Sequence, residues 1–361
     1  GTFRANGGGL FATGYFKSPG GGGRVALYYQ TSSFSGTIEA KGGCGMYDGW
    51  SMTCAGDGTV GVFDESTNNL YLNNSWQFRA NDSPFNLNNI YISNGAKVTS
   101  EDDVTITANN ITIDKNSSFA LADNQILNIP TITIDGNSTL TLSGSETITA
   151  NALNVTGNSM VTVVPEKVLS LTIPNITIAA GSSISADAKG YPGGTGPGAP
   201  TPELDRAGAS YGGVGYLNST TSIYGSETEP IDFGSGGNGY HPRGGGAIRL
   251  ISTGAFINNG IISANGGNTS SGGSVFITAN NLIGEGSIEA TGGGAYCPNS
   301  CFFMGGGGRV AVYYQTSSYT GATSARGGCY SFDSWSMTCA GDGTVVMESA
   351  EPVCAIDCFS N

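Results

Sequence analysis

Eight cysteines fall into four local pairs: Cys44 with Cys54, Cys297 with Cys301, Cys329 with Cys339 and Cys354 with Cys358. An even count in short-range pairs fits disulfide chemistry in an oxidising compartment, and no Cys/His spacing matches a zinc site. The second set of modifiable side chains is nine Asn-x-Ser/Thr sequons, at Asn73, Asn81, Asn110, Asn116, Asn137, Asn154, Asn175, Asn218 and Asn268. Such sequons accept N-linked sugar on a secretory route. Both signals predict an extracellular or cell-surface glycoprotein.

Catalytic chemistry is harder to assemble. His241, the sole histidine, sits in the loop-like run His241-Pro242-Arg243 with no Ser-His-Asp set around it, and reads as a bystander. Asp102-Asp103 reads as a charged corner between strands or as a Ca²⁺ ligand. Asp57 and Asp342, in the duplicated Ala-Gly-Asp-Gly-Thr-Val element, read as an Asp-Gly turn or as the same kind of cation site. The glycine runs Gly20 to Gly23 and Gly305 to Gly308 are followed by Arg-Val, not by Lys-Ser/Thr opening a helix, so they do not cradle phosphate. The expectation is a non-enzyme with no catalytic residue, metal or cofactor.

Composition narrows the partners. The net charge is −13 although only 11% of residues are charged, which leaves no basic face for nucleic acid. No apolar run of about 18 residues is present, so no membrane-spanning helix is expected. Glycine, at 59 of 361 residues, is far above its usual share of about 7%. No Gly-X-Y period exists, and 38% apolar content supports a core, so collagen and disorder are both set aside. The chain starts at Gly1 without Met or a signal peptide, and reads as a mature or trimmed product.

The elements that must carry these side chains announce themselves by period. Ile90-Tyr-Ile92, Ile111-Thr-Ile113, Ile132-Thr-Ile134, Leu153-Asn-Val155 and Ile176-Thr-Ile178 recur at steps of 21, 21, 21 and 23. A second apolar position keeps the same beat at Val98, Phe119, Leu140, Val161 and Ile184, and a third at Ile106, Leu127, Ile148 and Leu169. Period-2 alternation gives each strand one inward face, and a 21-residue repeat stacks like residues about 4.8 Å apart. The predicted fold is all-β: a single-stranded, right-handed parallel β-helix with coils of about 21 residues in the middle. An antiparallel β-sandwich is the alternative, but it has no reason to hold that beat. Threonine pairs at Thr105/Thr107 and Thr147/Thr149 are interrupted by Ile126/Asn128 one coil between, so a flat ice-binding ladder is not expected.

Outside the regular block the coils lengthen and fill with glycine, as in Ile38-Glu-Ala-Lys-Gly-Gly, Ile262-Ser-Ala-Asn-Gly-Gly and Ile288-Glu-Ala-Thr-Gly-Gly. Glycine there permits close backbone approach at corners. From Lys189 to Gly246 no strand pattern is sustained; tyrosines at 191, 211, 216, 224 and 240 predict an ordered flap. Gly20 to Val60 returns almost unchanged at Gly305 to Val345, an offset of 285 residues, so nearly the same module stands at both ends. The expected organisation is therefore 1–60, an N-terminal glycine-rich module; 61–188, regular coils; 189–246, a Gly/Pro-rich lateral loop; 247–345, glycine-rich coils ending in the duplicate module; and 346–361, a Cys-containing tail.

The run GGAIRL…NNGIISANGG…SGGSVFITANNLIGEGSIEATGG…GGGGRVAVYY…GDGTV resembles the glycine-rich β-helix segments of large secreted or cell-surface proteins of protists, including those that build tubular flagellar hairs (mastigonemes). The resemblance covers about residues 189–345 and 1–60. It implies an extracellular structural role and supplies no catalytic residues. Matched ends suit head-to-tail growth. The expected function is a structural subunit of an N-glycosylated filament or surface coat, whose partners are copies of itself. The alternatives are a carbohydrate-binding or polysaccharide-degrading β-helix and a segment of a giant adhesin. Cys44–Cys54 and Cys329–Cys339 are expected to close within their modules, and Cys297, Cys301, Cys354 and Cys358 to staple the C-terminal region within or between chains.

Overall fold

The computed structural model describes residues 1–9, 19–47, 51–201, 207–218, 223–237, 243–294, 303–331 and 337–349. Strands account for 45% of the chain and helix for 1%, and the strands lie in long parallel sheets at regular spacing, a pattern compatible with a β-helix. The chain divides into two compact units, Gly1–Asn151 with Thr156–Met160, and Ala152–Val155 with Val161–Asn361.

In the first unit each 21-residue stretch visits three parallel sheets in turn. The first sheet pairs Asn89–Ile92, Asn110–Ile113 and Thr131–Ile134. The second pairs Lys97–Ser100, Ser118–Ala120 and Thr139–Leu142. The third pairs Thr105–Thr107, Ile126–Asn128 and Thr147–Thr149. The register follows the apolar beat because inward positions must stay apolar from strand to strand: Ile90 faces Ile111, which faces Ile132, and Val98 faces Phe119, which faces Leu140. All six are buried to within a few per cent of their area. Thr105, Ile126 and Thr147 lie side by side, so the threonine row is broken in space as it is in sequence.

The corner between the first and second sheets is a left-handed pair of residues, Lys115-Asn116, Gly136-Asn137 and Gly157-Asn158, with φ between 52° and 62°. Glycine and asparagine tolerate that region better than other residues. Below each corner lies a buried serine. Ser117 Oγ accepts the Ala96 amide, Ser138 Oγ the Ser117 amide and Ser159 Oγ the Ser138 amide, each at 3.1 Å. This hydroxyl ladder satisfies amides that burial would otherwise orphan.

The N-terminal module joins this unit by a reversal of chain direction. Thr59–Asp64 pairs in parallel with Arg24–Tyr29 but antiparallel with Asn69–Leu72, placing Val62 opposite Tyr71 and Phe63 opposite Leu70. The turn is held by Asp64, whose Oδ1 accepts the Ser66 amide at 3.0 Å and the Ser66 hydroxyl at 2.7 Å, and is closed by Asn68 at φ 54°.

In the second unit the coils lengthen. Val168–Thr172 and Asn175–Ile178 both pair with one strand, Ala247–Asn258, whose register shifts between Ser252 and Ala255. Ser274–Gly284, Arg309–Tyr319 and Thr344–Ser349 follow in parallel, with Ala247, Ser274, Arg309 and Thr344 in line at steps of 27, 35 and 35 residues. A second parallel sheet runs through Ser183–Ser185, Ile261–Ser263, Ser287–Glu289 and Ala322–Ser324. The residues described between Ser185 and Ala247 form no strand. They pack instead through backbone hydrogen bonds and buried side chains such as Tyr211.

Candidate assembly surfaces at the duplicated modules

The two copies of the duplicated module share their local construction. Cys44–Tyr47 and Ser51–Cys54 form an antiparallel hairpin closed by the Cys44–Cys54 disulfide, and Cys329–Ser331 and Met337–Cys339 form its counterpart, closed by Cys329–Cys339. Asp57 Oδ1 accepts the Gly42 amide at 2.8 Å, and Asp342 Oδ1 accepts the Gly327 amide at 2.9 Å. Each Asp-Gly element thus spends a carboxylate oxygen on holding its own loop. Gly22 and Gly307 answer to the same constraint: a Cβ on Gly22 would strike the Ala40 carbonyl and the Gly58 amide, and one on Gly307 the Ala325 carbonyl and the Gly343 amide.

What differs is the cover on each copy. Arg309–Tyr314 has Ser274–Ala279 on one side and Thr344–Ser349 on the other, whereas Arg24–Tyr29 is paired only with Thr59–Asp64. Val310 and Val312 are fully buried; their counterparts Val25 and Leu27 are half-buried. Arg309 is 2% exposed, while Arg24 is open to solvent. At the other edge the asymmetry is inverted: Val60 is 2% exposed and its counterpart Val345 is 43% exposed. Among the described residues, no strand pairs with the outer edge of Arg24–Tyr29 or of Thr344–Ser349.

The flap adds a second asymmetry. Gly213 donates to the Gly307 carbonyl, Gly306 to that of Ala209, Gly341 to that of Val214, each at 2.8 Å, and Tyr216 to that of Met304 at 2.9 Å. Glycine on both sides lets the two backbones meet without side chains between them. Arg309 is caught in this cover. Its Nη1 lies 3.1 Å from Glu227 and donates to Thr344 Oγ1 at 3.1 Å, and its Nε donates to the Tyr224 carbonyl at 3.0 Å. Burial pushes the Tyr211 hydroxyl up to about 12 and raises that of Tyr224 further. In the N-terminal copy a Cβ on Gly21, the counterpart of Gly306, would meet nothing closer than 3.7 Å, and one on Gly56, the counterpart of Gly341, nothing within 4 Å.

Other candidate chemistry is dispersed. Among the described residues no group of three or more His, Cys, Asp or Glu gathers to hold a metal. Asp102 Oδ1 accepts the Asp123 amide at 3.0 Å and Asp103 takes φ 59°, the geometry of a turn. A pocket of about 160 Å³ beside the N-terminal module is lined by Arg24, Val25, Ala26, Thr59, Trp76, Gln77, Arg79 and Asp82, and the Trp76 indole N–H is buried without an acceptor. His241, Cys297, Cys301, Cys354 and Cys358 lie outside the described residues. No helix among the described residues is long and apolar enough to cross a membrane.

The sequons fall on three kinds of surface. Asn116 and Asn137 occupy successive left-handed corners and are exposed; Asn73, Asn81, Asn110, Asn175 and Asn268 are exposed as well. Asn110 also belongs to a ladder, its Nδ2 donating to Asn89 Oδ1 at 2.8 Å as Asn89 donates to Asn69 at 2.9 Å. Asn154 is half-buried. Asn218 is committed to the flap, its Nδ2 donating to the Gly198 and Gly208 carbonyls at 3.1 and 2.9 Å. The serine ladder, the asparagine ladder and the Arg309 anchorage were not visible in the motifs; the first two leave a trace as Asn-Ser pairs recurring every 21 residues and Asn-Asn pairs at steps of 20 and 21.

No protein-family model matches the chain, and neither a curated protein nor a solved structure matches it.

Proposed function

We propose that the chain is a structural subunit of an extracellular, N-glycosylated filament or cell-surface coat, built as a parallel β-helix and joined head to tail through its two duplicated modules. The observation that carries this reading is that Val345 is exposed and Val25 only half-buried, whereas their duplicates Val60 and Val310 are buried against neighbouring strands. An apolar strand edge left open on a soluble protein invites another strand, and natural proteins otherwise cover it. The distribution of sequons supports the same reading. All nine lie between residues 73 and 268, so glycans would clothe the flanks and leave the duplicated modules bare. Two disulfides are in keeping with an oxidising compartment. Electron microscopy of the purified chain at rising concentration tests the proposal: linear polymers are expected, and dispersed monomers at high concentration would refute it.

A second reading, carbohydrate binding, is favoured by the pocket that combines Trp76 with Arg24, Arg79 and Gln77. Indole faces and guanidinium groups suit an acidic sugar. A glycan array separates the two: selective binding that is lost in Trp76→Ala, without polymers, would favour the pocket.

A further inference from the structure

The second unit displays, within one chain, how the strand Arg24–Tyr29 is covered when it is not at an edge. Its near-copy Arg309–Tyr314 receives Ser274–Ala279 in parallel, with Ser274 opposite Arg309 and Val275 opposite Val310, and passes the register on to Thr344 and Val345. Val275 and Val310 are fully buried, and the row ends at the exposed Val345. The N-terminal copy begins a row of the same kind, Val25 opposite Val60, with its first member uncovered. The second sheet repeats the pattern. Ile262 faces Ile288, which faces Thr323 at the last strand, Ala322–Ser324. The N-terminal counterpart of Ile288 is Phe3, which faces Ile38; Ile288 is fully buried and Phe3 is 45% exposed.

We infer that Thr344–Ser349 of one copy pairs in parallel with Arg24–Tyr29 of a second copy, Thr344 opposite Arg24 and Val345 opposite Val25, while Ala322–Ser324 pairs with Thr2–Arg4 of that second copy, Thr323 opposite Phe3. This inference rests on the head-to-tail reading and specifies its interface. The chain order supports it on both sheets at once. In the second unit Ser274–Gly284, Ser287–Glu289, Arg309–Tyr319, Ala322–Ser324 and Thr344–Ser349 succeed one another. The next strands required are one of the kind at Ser287–Glu289 and then one of the kind at Arg309–Tyr319, which are Thr2–Arg4 and Arg24–Tyr29 in that order. Hydrogen bonding continues likewise. The Arg309 amide donates to the Gly273 carbonyl and the Thr344 amide to the Gly308 carbonyl, so the Arg24 amide of the second copy donates to the Gly343 carbonyl. The joint is heterologous, since the surfaces that meet differ, and it therefore propagates instead of closing a dimer. It joins the valine row of one copy, Val275–Val310–Val345, to the row Val25–Val60 of the next and removes both exposed edges.

The test places a photo-cross-linking residue, p-benzoylphenylalanine, at Val345 of the full chain and maps the adducts by mass spectrometry. Adducts to Val25 or Ala26 of a second copy are expected, and Val25→Glu should raise the concentration needed for polymers about tenfold or more, equivalent to 1.4 kcal/mol per tenfold. Val25→Ile, which keeps the apolar row, should polymerise as the parent chain does. Adducts to residues 344–349 of a second copy, to the chain's own residues, or to nothing although polymers form would overturn this pairing while leaving head-to-tail assembly standing. Absence of polymers in the parent chain would overturn both.

Discussion

The guanidinium of Arg309 lies over the ring of Tyr211, 5.6 Å from its centroid. The same tyrosine is fully buried, and its hydroxyl stands 2.6 Å from Ser274 Oγ, so one flap residue touches two successive strands of the second unit. Flap and coils are thus held together through groups that must stay in particular protonation states.

That requirement sets an alkaline limit. Tyr211 is pushed up to about 12, foremost by burial, and Tyr319 likewise, while Tyr224 is raised further. A group whose folded-state value is raised contributes stability that is fully present below its unfolded value, near 10, and is lost as pH rises through the folded value. Flap cover should therefore hold to about pH 10 and fail towards pH 12. Tyrosinate absorbance followed alongside limited proteolysis of residues 189–246 checks this. Tyr211→Phe should flatten the loss in that window, whereas normal ionisation of all tyrosines near 10 would contradict it.

The serine ladder predicts a local cost. Ser138→Ala removes the acceptor of the buried Ser117 amide without altering the inward apolar row. Stranding such an amide costs about 1–3 kcal/mol. Urea unfolding of the first unit should show a loss of that size, and an unchanged midpoint would mean that the ladder does not support the corner.

Glycine in the end modules should divide into two classes. Gly307→Ala forces a methyl against the Ala325 carbonyl and the Gly343 amide and should destabilise the second unit by about 1–3 kcal/mol. Gly56→Ala, where nothing lies within 4 Å, should change stability by no more than about 0.5 kcal/mol. Thermal unfolding of the two variants distinguishes backbone contact from mere composition as the reason for glycine.

The regular coils were legible in the sequence because an inward position has few acceptable occupants. Ile90, Ile111 and Ile132, or Val98, Phe119 and Leu140, must be apolar and must recur at the length of one coil. The chain reversal at Asn68 was not legible, since the near-identity of Gly20–Val60 with Gly305–Val345 says what the module is and nothing about which strand follows it. Nor was the merging of Val168–Thr172 and Asn175–Ile178 onto Ala247–Asn258, because the partner arrives only after the whole lateral segment. The anchorage of Arg309 was hidden for the same reason: Glu227 and Tyr224 come from a loop whose sequence has no period to place them.

Sedimentation velocity of the intact chain over a wide concentration range tests assembly through the duplicated modules most directly, run beside the variant Val345→Lys. The account predicts a ladder of growing species for the parent chain and a single monomer boundary for the variant, with the same far-ultraviolet circular dichroism for both. A parent chain that sediments as one monomeric species at every concentration, or a variant that grows as readily as the parent, would contradict it.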